Sequence, residues 1–379
     1  MKIIVAPDSF KGSLSAERFC EICERTFKSV RPDAEVVSMP LADGGEGTAE
    51  CFKRAMNCKS ADFYVQNALF EEIDATILFF DDGKTALIET AKVNGLPQVK
   101  GHENPEETST YGIGQLIGHA VDLGAKKIIL ALGGSCTNDC GLGMLAALGA
   151  CFYNKDGVSF VPTGGTLCEV ADIDLSMMYP RLVGARFEAM CDVENPLCGE
   201  NGCSKVFAPQ KGADSAMVER LEKGCQHIAD LFKLMRDKDF SLEKGAGAAG
   251  GLGFAVLAGL LGELKSGIDT VLDLCDFNAK LTGCDLIITG EGRFDSQSLM
   301  GKTIGGLLRR IEKAENVGEQ QKALPVYVFC GKAEAGMKLP QNLNVFPISE
   351  GQPFEYAMTH AEENLEASLR HVFGRKIQL

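Results

Sequence analysis

The sequence lacks an excess of basic residues. Its 38 lysines and arginines are outnumbered by 52 aspartates and glutamates, which gives a formal net charge of −14. A protein that follows a phosphate backbone needs a basic surface, so this deficit argues against nucleic acid as the main partner. With 45% hydrophobic residues among 379, the chain is too apolar for global disorder and long enough for two hydrophobic cores.

A continuous apolar stretch of membrane-spanning length is also missing. The segment from Gly245 to Gly262 carries no charge over 18 residues, but its first half is rich in glycine. A transmembrane helix needs about 20 predominantly apolar residues. We therefore interpret this segment as a glycine loop that leads into a buried helix from Phe254 to Leu264, and we expect no membrane partner.

No secretory signal or paired cysteine framework is recognisable. Residues 1–6 are too short for the apolar part of a signal peptide, and the 15 cysteines are an odd number. Cys20 and Cys23 form a CxxC motif on a helical pattern without a second pair at zinc-like spacing, and Cys198 and Cys203 also lack matching partners. We expect most cysteines to be small buried side chains in a reducing cytoplasm.

The standard nucleotide-binding loops are absent in their usual context. Residues 245–250 match GxGxxG as letters, but residues 239–244 before them make a poor buried strand, which a dinucleotide fingerprint requires. Residues 301–303 end like a Walker A loop, yet Ser296 stands where the first glycine of that loop belongs. A bound nucleotide would therefore be held by other loops.

Short apolar strands alternate with amphipathic helices along the chain, which is typical of an α/β protein. The strands lack polar alternation, as expected when both faces of a parallel sheet are covered. Strands are predicted at 2–6, 35–39, 127–132, 187–190, 285–289, 326–330 and 344–348. Helices are predicted at 16–30, 48–56, 112–123, 215–235, 303–314 and 355–372.

One region interrupts the alternation. Residues 72–80 and 84–90 are strand-like and are joined by Asp81-Asp82-Gly83, which predicts an antiparallel hairpin. Parallel units on both sides of a hairpin predict two domains: a doubly wound, Rossmann-like parallel-sheet domain and a second α/β domain inserted into it. We place the first domain at 1–58 with 283–379, and the inserted domain at 59–282.

The loops that follow the predicted strands combine glycine, hydroxyl and charged residues. Ligands of parallel α/β sheets lie beyond the carboxyl ends of the strands, so these loops are the candidate site. They contain three groups of candidates: acids, which bind hydroxyls, magnesium or a proton; cations, which bind carboxylate or phosphate; and small polar residues, which bring backbone N–H groups close to a ligand. The candidates are Asp8, Ser9, Lys11, Asp43, Gly44, Gly133, Gly134, Ser135, Thr137, Asn138, Asp192, Lys211, Arg293, Asp295 and Lys302.

Seven stretches in order resemble the bacterial type I glycerate kinase family along nearly the whole chain. They are APDSFKGSLSA (6–16), PLADGGEGT (40–48), ALGGSCTNDCGLGMLAALG (131–149), CDVENPLCGENG (191–202), FAPQKGA (207–213), GAGAAGGLG (245–253) and ITGEGRFDSQSLMGKT (288–303). The chain departs from the family pattern at Cys136 and Cys140, where Ala and Gly are expected, and at Ile304, where Pro is expected.

The resemblance implies transfer of the γ-phosphoryl group of ATP to D-glycerate, usually giving 2-phosphoglycerate, with 3-phosphoglycerate as the alternative product. It also implies two α/β domains with the active site between them. Magnesium is the expected metal because phosphoryl transfer depends on charge neutralisation and positioning. Self-association into a homodimer is left open.

We assign roles to the candidates as hypotheses. Lys11 is catalytic and, with Arg293, faces the glycerate carboxylate or the transferring phosphoryl group. Asp192 or Asp295 accepts the proton of the attacking hydroxyl. Substrate-binding roles are assigned to Asp8, Ser9, Asp43, Gly44 and Arg293; ATP-binding roles to Gly133, Gly134, Ser135, Thr137, Asn138, Lys211 and Lys302; and magnesium-binding roles to Asp43 and Asp192.

Two other functions stay open at this point. A nicotinamide-dependent dehydrogenase would need its glycine motif directly after a buried strand, which the chain does not offer. A non-catalytic two-domain protein that binds small molecules fits the inserted architecture, but it would not need so many acids and lysines at the strand ends.

Overall fold

The computed structural model describes the chain except residues 11, 42–47, 56–57, 179, 300–302, 317–323 and 375–379. The strands, numbered along the chain, are β1 Lys2–Val5, β2 Glu35–Ser38, β3 Lys59–Gln66, β4 Glu72–Phe80, β5 Thr85–Glu89, β6 Lys127–Ala131, β7 Cys151–Tyr153, β8 Ser159–Phe160, β9 Asp172–Asp174, β10 Arg186–Met190, β11 Glu263–Lys265, β12 Leu286–Phe294, β13 Val326–Ala333 and β14 Leu343–Pro347.

The α-helices are α1 Ala16–Val30, α2 Thr48–Ala55, α3 Ala91–Asn94, α4 Tyr111–Asp122, α5 Leu142–Ala147, α6 Cys203–Phe207, α7 Ser215–Arg236, α8 Ala248–Phe254, α9 Gly267–Leu274, α10 Phe277–Leu281, α11 Ser296–Leu299, α12 Thr303–Asn316, α13 Phe354–Thr359 and α14 Ala361–Phe373. Single 3-10 turns lie at Asp81–Gly83, Leu96–Val99, Gly164–Glu169, Pro180–Leu182 and Pro209–Lys211, and a π turn lies at Ala255–Gly259.

The chain forms two compact units. Unit 1 comprises Met1–Asp43, Glu50–Met56 and Ile268–Leu379, and unit 2 comprises Gly44–Ala49 and Asn57–Gly267. Each unit has its own main β-sheet. The domain division predicted from the sequence, 1–58 with 283–379 and 59–282, stays a prediction.

Unit 1 is built on a five-stranded parallel sheet in the order β14-β13-β12-β1-β2. Consecutive residues of β1, such as Ile3, Ile4 and Val5, are all fully buried, so both faces of the sheet are covered. Helices α1 and α14 pack on one face through Phe19, Phe27 and other apolar side chains. Ser15 caps α1 by accepting a hydrogen bond from the backbone N–H of Arg18.

Unit 2 is built on a six-stranded mixed sheet in the order β11-β10-β6-β5-β4-β3. Strands β11, β10, β6 and β5 run parallel, whereas β4 pairs with both β5 and β3 in antiparallel register. The predicted hairpin around Asp81-Asp82-Gly83 is therefore confirmed. A small antiparallel sheet of β8, β7 and β9 accompanies the main sheet. The predicted α/β class with parallel sheets is also confirmed.

The glycine-rich segment of unit 2 differs from its prediction. The backbone has positive φ at Ala249, Gly250 and Gly251, as suits a glycine loop. The helical segment that follows ends at Gly259, whereas the predicted helix extends to Leu264. Residues 263–265 form β11 beside β10. The predicted helix end at Leu264 is therefore wrong: the charge-free run ends at Gly262, and the charged residues Glu263 and Lys265 belong to an exposed to half-buried edge strand.

Two further bounds also differ from their predictions. Strand β12 continues to Phe294, five residues beyond the predicted end, because its extension pairs with β13 up to Phe294 opposite Ala333. Glycines make this close pairing feasible: a Cβ on Gly331 would lie 2.6 Å from the carbonyl oxygen of Gly292. The helix predicted over 355–372 is interrupted at His360, whose backbone is not helical.

The cysteines behave as expected from the sequence. Fourteen of the 15 cysteines are identified as free thiols, and ten of these are buried. Cys20 and Cys23 lie on the apolar face of α1. Within the described ranges, no helix combines the length and the apolar composition needed to cross a membrane.

We predict that Gly250→Ala destabilises unit 2 far more than Gly157→Ala. Both glycines have positive φ, +69° and +74°, so alanine costs each about 1–2 kcal/mol of backbone strain. Only at Gly250 would the new Cβ lie 1.9 Å from the carbonyl oxygen of Thr137, whereas Gly157 has open space. We expect a total loss of about 3 kcal/mol or more at Gly250, measured by urea unfolding. Equal losses in the two variants would contradict this packing argument.

Candidate active site

In unit 1, Asp8 lies just beyond the carboxyl end of β1. Its backbone N–H donates to the carbonyl oxygen of Gly290 in the neighbouring strand β12, at 2.8 Å. Its carboxylate accepts from the backbone N–H of Ser9 through Oδ1, at 2.7 Å, and from the hydroxyl of Thr303 through Oδ2, at 2.7 Å. Because Thr303 is the first residue of α12, Asp8 fixes the loop after β1 to the start of that helix.

Arg293 and Asp295 lie at the extended end of β12. Arg293 Nε is 3.4 Å from Asp295 Oδ2, and their side chains are 75% and 23% exposed. Arg293 is directly opposite Lys332 of β13, whose side chain is also exposed. Two cations therefore lie opposite one another at this edge, and among the described residues the acid paired with Arg293 is Asp295. Lys332 is not among the predicted site residues because the strand predicted there ends at Cys330, before this residue.

In unit 2, Asp192 follows β10 and is exposed. Its Oδ1 accepts from the backbone N–H of Gly267 at 2.9 Å and from the hydroxyl of Ser266 at 3.4 Å. Ser266 and Gly267 come directly after β11, so this carboxylate joins the loops that follow two parallel strands. The hydrogen bonds hold the carboxylate in one orientation at the carboxyl edge of the sheet.

The glycine loop after β6 has an exposed tip and a buried base. Gly133 is half-buried and Gly134 is exposed, whereas Ser135, Thr137 and Asn138 are buried. The hydroxyls of Ser135 and Thr137 are 2.7 Å apart, and the backbone N–H of Thr137 donates to Ser135 Oγ at 3.1 Å. The hydroxyl groups predicted to bind ATP therefore bind one another in this structure.

Lys211 lies beneath this loop and is only 2% exposed. Its Nζ donates to the carbonyl oxygen of Thr137 at 2.6 Å. Burial lowers the pKa of Lys211, and the neighbouring Cys203, Cys136 and Asp139 oppose that shift. The ammonium group thus faces the protein interior and supports the loop backbone.

Asn138 is fully buried beside the same loop. Its Nδ2 donates to Ser204 Oγ at 3.1 Å, while Oδ1 has no hydrogen-bond partner among the described residues. The side chains of Ser135, Thr137, Asn138 and Lys211 are thus turned inward. The part of the loop that can meet a ligand without rearrangement is the backbone of Gly133 and Gly134.

Asp139 is the main residue of this loop that sequence reasoning missed. Its buried carboxylate accepts from the backbone N–H and the hydroxyl of Thr110, both at 2.8 Å, and from the N–H groups of Gly141 at 3.1 Å and Gly143 at 3.2 Å. Burial raises the pKa of Asp139, and these four donors act in the opposite direction. An acid just before an apolar helix is the signal that could have identified it.

A second missed acid is Glu89, the last residue of β5. It is 3% exposed, and its Oε2 accepts from the backbone N–H of Ala49 at 3.1 Å. Glu89 thus lies buried at the carboxyl edge of the parallel strands of unit 2. Glu89 is not among the predicted site residues because it lies inside the strand predicted at 84–90.

Four predicted site residues, Lys11, Asp43, Gly44 and Lys302, lie outside the described residues. Of the two predicted magnesium ligands, Asp43 and Asp192, the structure therefore describes Asp192. In the described part of the chain, no three His, Cys, Asp or Glu side chains are grouped so that they could hold a metal ion.

Comparison with known proteins agrees with the predicted family. The family model described as "Glycerate kinase family" matches residues 3–376. The chain belongs to the glycerate kinase family. It is 42% identical to a glycerate kinase of Bacillus cereus, over 98% of this chain and 97% of that protein, and 43% identical to a glycerate 2-kinase of Escherichia coli, over 83% and 82%.

The fold agrees as well. A crystal structure from Salmonella typhimurium LT2, named as a glycerate kinase 2, is similar with a TM-score of 0.83 and 37% sequence identity, over 98% of this chain and 97% of that one. The predicted family, fold class and enzyme class, a glycerate kinase and therefore a phosphotransferase, are confirmed. The individual site residues of this glycerate kinase family member stay predictions.

We predict that Asp139→Asn destabilises this glycerate kinase family member by about 2–3 kcal/mol, because an amide cannot accept from four donors as a carboxylate does. Asn also places an N–H₂ group near the N–H groups of Gly141 and Gly143. The free energy of unfolding in urea measures the effect.

Asp174→Asn is the matched control. Asp174 accepts from the backbone N–H of Ser176 at 2.8 Å and from the hydroxyl of the same residue, and it lies closer to the surface. We expect this control to cost less than about 1 kcal/mol. If Asp139→Asn were no more costly than the control, the buried carboxylate would not be what orders the loop.

Proposed function

We propose that this chain transfers the γ-phosphoryl group of ATP to D-glycerate and forms 2-phosphoglycerate. The observation that carries the proposal is the match of the glycerate kinase family model to residues 3–376. The E. coli relative is named a glycerate 2-kinase, which supports phosphorylation at the 2-hydroxyl. The acids and cations at the carboxyl ends of parallel strands are consistent with this chemistry.

Arg293 is the first candidate for binding the glycerate carboxylate. Its guanidinium is 75% exposed and can bind a carboxylate through two parallel N–H donors. Lys332, directly opposite in β13, adds a second positive charge for the same anion. Asp8 and Ser9 would bind the hydroxyls of glycerate at the neighbouring end of β1, and the predicted roles of Lys11, Asp43 and Gly44 are kept as part of this proposal.

Two carboxylates are candidates for the proton acceptor. Asp192 is exposed and is oriented by the N–H of Gly267. Asp295 lies at the end of β12 beside Arg293, whose positive charge would also attract the anionic substrate. Phosphoryl transfer needs such a residue to orient the attacking hydroxyl and take its proton, and the remaining catalysis is positioning and electrostatic stabilisation.

The phosphates of ATP would meet the tip of the loop after β6. There Gly133 is half-buried and Gly134 is exposed, and close approach of a phosphate to glycine backbone is sterically easy. Four residues predicted to bind ATP have a supporting role in this proposal, because they hold the loop in place from the protein interior. They are Ser135, Thr137, Asn138 and Lys211. Lys302 remains a proposed phosphate ligand.

Magnesium fits the donors that the described chain offers. Mg²⁺ is held by one or two carboxylates together with substrate phosphates and water, so it does not require a cage of protein ligands. Asp192 offers an exposed carboxylate of this kind, with Asp43 as its proposed partner. When bound, the ion would neutralise charge on the phosphates of ATP. We also propose a cytoplasmic location without nucleic-acid or membrane partners. Association into a homodimer is an option.

The activity itself gives the first test. In the presence of Mg²⁺, we expect ADP to form from ATP only when D-glycerate is present. We expect phosphorus and proton NMR to identify the product as 2-phosphoglycerate. Other hydroxy acids and buffer alone serve as controls. ADP release that does not depend on glycerate would contradict the substrate, and 3-phosphoglycerate as the product would contradict only the position of transfer.

The proton acceptor is tested with Asp192→Asn and Asp295→Asn. We expect the variant that removes the acceptor to lower kcat about 10²- to 10⁴-fold, because the amide cannot take the proton from the hydroxyl. Binding of ATP, measured by calorimetry, should change much less than kcat in that variant.

Glu194→Gln is the matched control for the Asp192 loop. Glu194 lies two residues from Asp192 in the same loop, is 75% exposed and pairs with Lys244 at 3.0 Å. An exposed ion pair of this kind contributes little to stability, so we expect kcat of this variant to stay within about twofold of that of the unmodified enzyme. Turnover close to that of the unmodified enzyme in both aspartate variants would exclude these two carboxylates as the proton acceptor.

A further inference from the structure

Three thiols meet in the interior of unit 2. Cys140 lies just before α5, Cys203 begins α6 and Cys225 lies in α7, and all three are fully buried. Cys225 Sγ is 3.4 Å from Cys140 Sγ and 3.9 Å from Cys203 Sγ. Cys225 is therefore within reach of two other thiols, and Cys140 is the nearer.

Cys140 occupies a backbone conformation that a cysteine adopts rarely. Its φ is +54°, in the left-handed region, where a residue with a side chain is strained relative to glycine. The surroundings enforce this conformation: the N–H of Cys140 donates to Gly250 O at 3.1 Å, and a Cβ on Gly251 would lie 2.7 Å from the Cα of Cys140. A strained residue persists where the surrounding structure holds it. In this conformation the thiol of Cys140 lies against Cys225 of α7.

Cys140 is also part of the segment that continues the glycine loop. It follows Asp139, whose carboxylate binds the N–H groups of Gly141 and Gly143, and it precedes α5. Any displacement of the Cys140 side chain thus acts on the hydrogen bonds that order residues 133–143. In contrast, Cys203 lies in α6, outside that segment.

We propose that Cys140 and Cys225 are a thiol–disulfide modification site that locks the base of the glycine loop to α7. Two S–H bonds break, one S–S bond forms, and two electrons and two protons pass to an oxidant such as a peroxide or a diazenedicarboxamide. The two sulfurs must approach from 3.4 Å to about 2.05 Å, so the segment around Cys140 has to shift. The consequence for catalysis rests on the proposed role of Gly133 and Gly134 in binding ATP.

Both thiols are held in the reduced form at rest. Burial raises the pKa of Cys140 to about 11. The hydrogen bond with Cys140, followed by burial, raises the pKa of Cys225 well above its usual value. Oxidation therefore proceeds when unit 2 opens locally around the loop, and it is slower than oxidation of exposed thiols.

The experiment uses the full chain with Cys168→Ser, which removes an exposed thiol that could link two molecules. The protein is treated with diamide while folded; the remaining thiols are alkylated after unfolding, and peptides are mapped by mass spectrometry. We expect one linked pair that contains Cys140 and Cys225, a loss of glycerate-dependent turnover of at least about threefold, and recovery with dithiothreitol. The mapping is independent of activity, so failure of the proposed function leaves this test intact.

Cys225→Ser and Cys140→Gly separate the two thiols from the rest of the core. Glycine suits the positive φ at position 140, so this variant keeps the fold available should the serine variant be unstable. Both variants should keep their turnover after diamide, whereas Cys203→Ser should still form the disulfide and lose turnover. Recovery of Cys140 and Cys225 as alkylated thiols after diamide would overturn the proposal, and a disulfide that leaves turnover unchanged would overturn its link to catalysis.

Discussion

The buried carboxylate of Asp139 is the contact on which the candidate ATP loop depends. An ionised acid in the interior is costly unless hydrogen bonds compensate it, and four donors from Thr110, Gly141 and Gly143 do so. Those donors come from the starts of α4 and α5, so a single side chain joins two helices to the loop. Lys211 completes the arrangement by holding the carbonyl oxygen of Thr137. The exposed tip at Gly133 and Gly134 is thereby presented by a base that has little freedom to move.

The same principle operates at the other strand ends. Asp8 is held by Ser9 and Thr303, and Asp192 is held by Ser266 and Gly267. In each unit an acid links the loop after one parallel strand to a neighbouring segment. A small substrate needs its partners at fixed positions, and carboxylates that are already oriented lose less entropy on binding. The charges of this acidic protein are thus ordered at the strand ends that the proposed reaction uses.

The sequence predicted the elements well where the apolar pattern was long. The α/β class, α1 and the hairpin around Asp81 to Gly83 followed from periodicity and turn chemistry, and the family followed from seven motifs. The sequence could not predict in which direction a loop side chain points or how deeply it is buried. Ser135, Thr137, Asn138 and Lys211 are predicted to face ATP, but in the fold their side chains are buried. Glu89 and Asp139 were overlooked because a single acid at the edge of an apolar run has no signature until its donors are known.

Arg293 and Lys332 have a consequence of another kind. Like charges opposite one another on paired strands repel, so Arg293 and Lys332 weaken the pairing at the ends of β12 and β13. Asp295 pairs with Arg293 and offsets part of this repulsion. An anion bound between the two cations would remove the repulsion and so hold the two strand ends together. Dissolved salt would weaken the same repulsion while competing for the same charges, which ties the rigidity of this edge to ionic strength.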